Sequence, residues 1–491
     1  MSNSEHLKSL NDANTSLANH APRSGNRRPV YHFTPPFGWM NDPNGLIQYN
    51  GIYHMFYQYN PYDTHWALMH WGHAISRDLV HWTDLPVALA PSEEYDLAAR
   101  GGCYSGSAIE DGKILVLMYT GCVHREEAEC QTQNLAYSTN GIDFIKEASN
   151  PVITQPPSGG AEHFRDPKVW QHGKFFYSVL CNSMDDLGCV LLYRSRDLLE
   201  WEYRGVLLMA EPGQGWMWEC PDFFPLGDRW ILTVSAMGAL EDTNIWFAGA
   251  LDYDTEHFTP VNQGKLDCGN DFYAAQSFLD SQNRRILIGW ASQRSLREGI
   301  APDAATASSG FCGQMSLPRI VSLGKDDALH FSPIPELKAL RGNRQQGSEQ
   351  WLDSQPILLS KQKSASCEII FVFDLKRSQA KDIIIVCEHD ELHRTTLTLN
   401  LQENLFQLDR SQTDDITTGI VTCQLGKQNK LTMQLFFDRN SVEVFINDGE
   451  QVLSANIFPT QNEMEIFLYS SGGTCLCTSW ETWSLRDVPE R

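Results

Sequence analysis

The chain has 491 residues, a hydrophobic content of 42% and a formal net charge of −23. This length exceeds what one hydrophobic core usually supports, and the composition indicates an ordered globular protein. The negative charge opposes binding to phosphate backbones and anionic membranes, so neither nucleic acid nor a membrane is an expected partner.

The thirteen cysteines are odd in number and scattered along the chain without a Cys-x-x-Cys pair. Secreted scaffolds usually carry an even, regularly spaced set, so these cysteines are predicted to be reduced thiols. Residues 1–29 contain no apolar stretch of signal-peptide length. These observations favour a cytoplasmic protein.

Residues 1–29 are polar and lack periodicity, which predicts a mobile or loosely packed N-terminal extension. A repeat follows over residues 30–330. A turn residue followed by an aromatic or aliphatic segment recurs roughly every 55 to 60 residues, at Gly51, Gly112, Gly173, Gly227 and Asn283. Units of this kind, rich in short strands and turns, are typical of four-stranded blades. We therefore predict an all-β chain that begins with a five-bladed β-propeller.

Three carboxylates occupy similar places in the repeat. Asp42, Asp166 and Glu219 each lie shortly before the turn marker of blades one, three and four. Any one of them alone would be taken for a turn residue or a salt-bridge partner. If their strands are innermost, however, all three side chains converge at one end of the propeller axis.

The repeat stops near residue 330. Residues 331–349 are predicted to be a linker with a short helix, and residues 350–491 a C-terminal β-sandwich of alternating strands. The segment Ser441–Ile446 followed by Asn447-Asp448-Gly449 indicates a hairpin. The sandwich carries no catalytic motif, and the sequence leaves a homo-oligomer open.

Three carboxyl groups at one pocket suit the cleavage of a glycosidic bond. The oxocarbenium-like transition state needs a carboxylate on one face of the sugar and a proton donor at the leaving oxygen. Crowding and partial burial can keep one carboxyl protonated while its neighbour is ionised.

Several segments carry a resemblance to a known family. They are WMNDPNG at 39–45, WGHA at 71–74, RDP at 165–167, WECPD at 218–222, DFYA at 271–274 and DRNSVEVFINDGE at 438–450. Together they resemble the ordered signatures of glycoside hydrolase family 32, which contains invertases, sucrose-6-phosphate hydrolases and fructan hydrolases. The resemblance implies a retaining enzyme in which Asp42 is the nucleophile and Glu219 the acid and base, with carboxyls about 5 to 5.5 Å apart. It also implies that Asp166 stabilises the transition state.

The resemblance further implies a set of residues that bind the sugar or form the pocket wall: Trp39, Met40, Asn41, Gln58, Trp66, Tyr104, Ser105 and Arg165. Cys220, next to the acid, is expected to tune the proton affinity of Glu219. Tyr104 replaces the Phe of many relatives. The segment 292–310 also departs from the family pattern, which leaves the substrate preference open.

His65, His70 and His73 lie close together in the sequence, but their spacing matches no standard zinc pattern. We expect neither a metal nor another cofactor for the reaction. The predicted function is a β-fructofuranosidase acting on a small sugar, with sucrose as substrate. Sucrose 6-phosphate, for which Arg294 and Arg297 are candidate partners, and exo-acting hydrolysis of levan or inulin remain alternatives. A non-catalytic sugar-binding propeller and a propeller glycosidase acting on arabinan or xylan are the more distant ones.

Overall fold

The computed structural model describes residues 2–20, 27–97, 101–125, 128–240, 242–292, 305–417 and 419–486. It consists almost entirely of β-strands, with one α-helix, α1 (Ser2–Ala18), and short 3₁₀ turns. Within these residues no helix has the length and apolar character needed to cross a membrane. The strands form a five-bladed β-propeller followed by a β-sandwich.

Each blade contains four antiparallel strands in chain order. The blades are β1 (Gly38–Tyr49), β2 (Ile52–Asn60), β3 (His70–Ser76) and β4 (Trp82–Leu89); β5 (Gly101–Asp111), β6 (Ile114–Arg125), β7 (Ala128–Ser138) and β8 (Ile145–Lys146); β9 (Arg165–His172), β10 (Phe175–Met184), β11 (Leu187–Ser195) and β12 (Trp201–Met209); β13 (Met217–Leu226), β14 (Arg229–Met237), β15 (Asn244–Asp252) and β16 (His257–Lys265); β17 (Tyr273–Leu279), β18 (Arg285–Trp290), β20 (Arg319–Leu323) and β21 (Leu329–Pro333). The short β19 (Phe311–Cys312) pairs with β1 in parallel.

The first strands of the five blades adjoin one another in a closed ring, β1 to β5, β9, β13, β17 and back to β1. They are therefore the innermost strands, as the sequence predicts. Closure leaves only the outer strand of each blade with a free edge. Asp42, Asp166 and Glu219 lie on β1, β9 and β13 and so come from different blades to the same axis.

A β-bulge interrupts every innermost strand at the same level. The breaks in register lie between Met40 and Pro43, Tyr104 and Gly106, Arg165 and Lys168, Glu219 and Asp222, and Tyr273 and Gln276. Asp42 and Asp166 are inside their bulges, whereas Glu219 immediately precedes its own. A bulge re-aims side chains that the regular pleat would send to opposite faces. The three carboxylates lie at different sequence distances from the turn residue that follows each of them. The bulges allow them to reach the same region of the propeller axis.

The C-terminal residues form two packed sheets. One contains β22 (Arg341–Gly347), β23 (Gln350–Leu352), β25 (Cys367–Asp374), β30 (Lys430–Asp438), β31 (Ser441–Ile446), β32 (Gln451–Asn456) and β34 (Cys475–Leu485); the other contains β24 (Ile357–Gln362), β26 (Asp382–Glu388), β27 (Arg394–Asn400), β28 (Leu405–Asp409), β29 (Ile420–Gln424) and β33 (Met464–Ser471). Asn447 and Asp448 have φ values of 49° and 57° between β31 and β32, which confirms the predicted hairpin.

The prediction of a mobile N-terminal extension was wrong for residues 2–18, which form α1. Ala13 is fully buried, and Leu10 and Leu17 pack against the same core cluster. His6 is also buried and bonds the Ala90 carbonyl. These four positions follow the i, i+4, i+7, i+11 spacing of one helical face. Only two of the four are large apolar residues. The helical period was therefore hard to recognise in a segment that is otherwise polar.

The predicted linker at residues 331–349 also needs correction. This interval contains the end of β21, a 3₁₀ turn at Pro335–Leu340 and all of β22. Most of the β22 side chains are exposed, and the strand pairs with β34 at the side of its sheet. An edge strand with few buried side chains can be polar throughout, so it resembles a loop in the sequence.

Propeller and sandwich share a buried network of charged groups. The guanidinium of Arg319 bonds Asp267 at 2.8 Å and Glu443 at 2.7 Å. His32 lies between Asp438, at 2.9 Å from Nδ1, and Glu443, at 3.1 Å from Nε2. Such groups are tolerated in an interior only when each charge is paired. The network therefore specifies how the two domains dock.

Raising the pH should weaken this docking through His32. Burial alone would lower the His32 pKa, but the hydrogen bonds and charges of Asp438 and Glu443 more than offset it and raise the pKa to about 9. The stabilisation is therefore complete below the unfolded-state pKa of 6.5 and is lost as pH rises towards 9. We expect the difference in unfolding free energy between wild type and His32→Gln to shrink by about 3 kcal/mol over this range. Calorimetry at a series of pH values measures it; a pH-independent difference would contradict the assignment.

Candidate active site

A cavity of about 410 Å³ opens at the end of the propeller axis where the bulges lie. Two carboxyl groups and four aromatic side chains line it. The lining residues are Trp39, Asn41, Asp42, Trp66, Glu219, Ala236, Met237, Gly238, Thr243, Tyr273 and Trp290.

Asp42 accepts hydrogen bonds from three different side chains. Ser105 Oγ donates to Oδ2 at 2.6 Å, Asn41 Nδ2 donates to Oδ1 at 3.0 Å, and Cys220 Sγ donates to Oδ2 at 3.3 Å. Burial raises the Asp42 pKa and the charge of Glu219 adds to this, while the three donors act in the opposite direction. The donors favour the ionised form in a position that would otherwise disfavour it.

Asp166 is buried deeper, with an exposed fraction of 2%. Its φ of 65° lies in the left-handed region, which Asp adopts more readily than most residues. The Cys220 backbone N–H donates to Oδ2 at 2.8 Å. Burial raises the Asp166 pKa to about 7, with Glu219 and Asp42 contributing and Arg165 opposing. Near neutral pH this carboxyl is therefore poised between its two protonation states.

Glu219 is held by two side chains from neighbouring blades. The Arg165 guanidinium donates to Oε1 from Nη2 at 2.9 Å and from Nε at 3.2 Å, and Tyr273 OH donates to Oε2 at 2.7 Å. Arg165 is itself fixed by Gln131, which accepts from Nη1 at 3.3 Å. One oxygen of Glu219 is thus anchored by charge and the other by a neutral hydroxyl.

Cys220 connects the carboxyl groups in a way that differs from the expectation. Its thiol lies against Asp42 and, at 3.6 Å, against Asp166, whereas the sequence suggested that it would tune Glu219. The φ of Cys220 is 49°, because it occupies the same bulge position as Asp166 does in its own strand. The bulge turns the Cys220 thiol towards Asp42 and Asp166, on blades one and three. Glu219 is bonded by Arg165 instead.

Most of the predicted sugar-binding residues surround the cavity. Trp39, Asn41 and Trp66 line it, and Trp39 Nε1 donates to Asn41 Oδ1 at 2.8 Å. Tyr104 packs edge-on against Trp66, with ring centroids 6.0 Å apart. Ser105 and Arg165 reach the cavity through the carboxylates that they bond.

Met40 and Gln58 lie elsewhere. Met40 is fully buried in the apolar core of the propeller. Gln58 is 2% exposed and donates to the Cys103 carbonyl at 2.9 Å. Neither residue lines the cavity. Met40 faces away from it because it lies between Trp39 and Asn41 on the strand.

Tyr273 and Trp290 are lining residues that sequence reasoning did not single out. Tyr273 belongs to the quoted motif at 271–274, so the motif contained the signal, but nothing local shows that its hydroxyl meets Glu219. Trp290 ends β18 and packs against Trp39 with ring centroids 6.0 Å apart. Its role depends on the contact between the first and last blades, which ring closure creates.

The three histidines near residue 70 take separate environments. His65 is exposed and pairs with Asp63, His70 bonds the Leu68 carbonyl, and His73 bonds His54 in a buried aromatic cluster. Their ring nitrogens therefore have three different partners.

Buried and differently held carboxyl groups in one aromatic-walled cavity are the arrangement of a glycoside hydrolase. Comparison with known proteins gives the family. The family model described as "Glycosyl hydrolases family 32 N-terminal domain" matches residues 32–333, and "Glycosyl hydrolases family 32 C terminal" matches residues 336–484. The chain therefore belongs to glycoside hydrolase family 32.

Similar proteins cover the chain along nearly its whole length. A sucrose-6-phosphate hydrolase from Escherichia coli is 38% identical, over 97% of this chain and 99% of that protein. A raffinose invertase from the same species is 35% identical, over 97% and 99%. Among solved structures, a Bombyx mori GH32 β-fructofuranosidase is 32% identical with a TM-score of 0.84, over 98% and 99% of the two chains.

Removing the Cys220 thiol should raise the Asp42 pKa further, because the carboxylate loses a donor to its charged form. If activity requires ionised Asp42, the acidic limb of the kcat/KM profile in Cys220→Ala should move to higher pH by roughly half a unit or more. Cys220→Ser keeps a donor and should retain a profile close to wild type. Equal profiles for wild type and Cys220→Ala would show that the thiol does not act on Asp42.

Proposed function

We propose that the protein is a retaining β-fructofuranosidase that hydrolyses sucrose through a covalent fructosyl-enzyme. The observation that carries this proposal is the unequal treatment of two carboxyls in one cavity. Asp42 receives three uncharged donors, whereas Glu219 is bound by a guanidinium and a phenol. Two carboxyls in different environments are what acid–base and nucleophilic roles require.

Asp42 is assigned as the nucleophile. It attacks the anomeric carbon of the fructosyl unit, forms an ester and releases the glucose oxygen as leaving group. Its donors Ser105 and Asn41 keep the attacking carboxylate ionised and fix its direction. Water then attacks the anomeric carbon from the side that the leaving group left and displaces Asp42, so the two inversions together retain the configuration.

Glu219 is assigned as the acid and then the base. Oε1 has both contacts to Arg165, so proton transfer is assigned to Oε2, next to the Tyr273 hydroxyl. The charges of Asp42 and Glu219 repel each other. Esterification of Asp42 removes that repulsion before Glu219 activates the water.

Asp166 is assigned to binding and charge stabilisation. Its carboxyl shares the Cys220 thiol with Asp42, so it lies beside the residues that line the cavity and is not one of them. A carboxyl with a pKa of about 7 can accept from a fructose hydroxyl when ionised and donate to it when protonated. Growing positive charge on the sugar favours the ionised form.

The preference for sucrose over its phosphate rests on charge. Among the described residues that line the cavity there is no lysine or arginine, while Asp42 and Glu219 are present. A phosphate group would meet carboxylates without a cationic partner there. Arg294 and Arg297, the candidate partners, lie outside the described residues. Sucrose 6-phosphate is the second candidate, since a relative that is 38% identical carries that name. The thirteen free thiols support a cytoplasmic setting for either substrate.

Replacing either carboxyl should abolish turnover without unfolding the chain. Asp42→Ala and Glu219→Gln should each reduce kcat for sucrose by about 10⁴-fold or more, because each removes a group that acts in the transition state. Circular dichroism provides the folding control. Near wild-type rates from a folded variant would reject the corresponding role.

The two roles can be separated by the product formed with azide. Glu219→Ala should release fructosyl azide with retained configuration from a substrate whose leaving group needs no acid, because azide attacks the ester without base assistance. Asp42→Ala should give the inverted azide, since azide then takes the place of the nucleophile. Nuclear magnetic resonance of the products reads the configuration. Exchanged outcomes would exchange the assignments.

Substrate choice is measured by kcat/KM for sucrose, sucrose 6-phosphate and inulin on one preparation. We expect kcat/KM for sucrose to exceed that for sucrose 6-phosphate by about tenfold or more. The reason is that the phosphate charge would lie unpaired in a cavity lined by carboxylates. A higher value for sucrose 6-phosphate would replace the first candidate by the second.

A further inference from the structure

The hairpin of β6 and β7 carries a second group of reactive side chains beside the active site. Cys122 and His124 are two residues apart on β6, so they face the same side. On β7, Glu129 pairs with His124 and Gln131 pairs with Cys122. Directly paired residues share a face of the sheet. One face of the hairpin therefore presents a thiol, an imidazole and a carboxylate together.

The possible ligand atoms of these residues are close to one another. One from each of Cys122, His124 and Glu129 lie within 4.8 Å of each other. His124 Nε2 is 3.4 Å from Glu129 Oε1, and His163 Nδ1 lies 3.6 Å from Glu129 Oε2 on the other side. In a tetrahedral zinc site, ligand atoms are about 3.5 Å apart. Small rotations of His124 and Glu129 would bring the three groups to that spacing.

We propose that Cys122, His124 and Glu129 form a binding site for Zn²⁺ or a similar divalent transition-metal ion at the rim of the active site. Sulfur, nitrogen and oxygen donors from these three residue types are the ordinary protein ligands of zinc. His163 or water completes the coordination. His124 is exposed and Glu129 half-buried, so the ion has a path from solvent.

Binding requires the thiol to lose its proton. The S–H bond of Cys122 breaks, the proton passes to solvent and the thiolate bonds the metal, so one proton is released for each ion bound. Burial raises the Cys122 pKa to about 12, with Glu129 adding to the effect.

A chain of contacts links this site to Glu219. Glu129 contacts His163, His163 Nδ1 lies 3.3 Å from Arg165 Nη1, and Arg165 bonds Glu219. A divalent charge held by Glu129 would repel the Arg165 guanidinium and disturb its hold on Glu219. If the proposed function is right, the ion therefore inhibits hydrolysis, mainly through kcat.

Cobalt is the probe that tests the site without relying on activity. Co²⁺ added to metal-free full-length protein should give a thiolate-to-metal charge-transfer band and one bound ion per chain. Cys122→Ser should lose the band, and His124→Gln should weaken binding at least tenfold. Cys130→Ser is the matched control, because Cys130 pairs with Val123 in the same hairpin on its opposite face. It should behave as wild type.

Inhibition is the second measurement. Zn²⁺ should inhibit wild type and Cys130→Ser and be reversed by a chelator, while His124→Gln should keep its basal rate and resist the metal. An unchanged cobalt band in Cys122→Ser, or its loss in Cys130→Ser alone, would overturn the site. Metal binding without inhibition would overturn only the link to Glu219, and an inactive wild-type enzyme with an intact band would instead count against the proposed function.

Discussion

The bulges in the five innermost strands are the feature on which the active site depends. A regular strand would send neighbouring side chains to opposite faces, and the carboxylates lie at different offsets from the turns that begin the next strand. The extra residues turn Asp42 and Asp166 towards the axis and bring Glu219 to the same level. Ring closure then supplies partners from neighbouring blades. Neither feature alone would assemble the cavity.

Three carboxyl groups close together repel one another when they are ionised. The structure gives each of them a different set of partners. Asp42 is given donors, Glu219 is given a guanidinium, and Asp166 remains with a pKa of about 7. Cys220 bonds two of them: its thiol donates to Asp42 and its backbone N–H donates to Asp166. Chemically similar groups are thereby held in different environments, which is the property that two-step glycosidic chemistry requires.

The same principle operates between the domains. Arg319 and His32 are buried with Asp267, Asp438 and Glu443, and each charge has a partner. Apolar residues of both domains join one core cluster around them, including Phe272 and Phe445. The apolar contacts supply the driving force for docking, while the charge network restricts it to one arrangement. The sandwich thus packs against the propeller beside β17, whose Tyr273 lines the cavity.

The sequence by itself determined the all-β class, the five repeats, the second domain and the segments that carry the carboxyl groups. These features are written in local patterns: turn residues, alternating apolar residues and short motifs. Only the tertiary structure decided that Cys220 faces Asp42, that Tyr273 reaches Glu219, that Gln58 and Met40 lie behind the cavity, and that residues 2–18 fold as a helix. Those outcomes depend on bulge register and on contacts between segments distant in sequence. Since a shift of one residue reverses the face of a strand side chain, no local pattern could have settled the positions of Cys220, Tyr273, Gln58 and Met40.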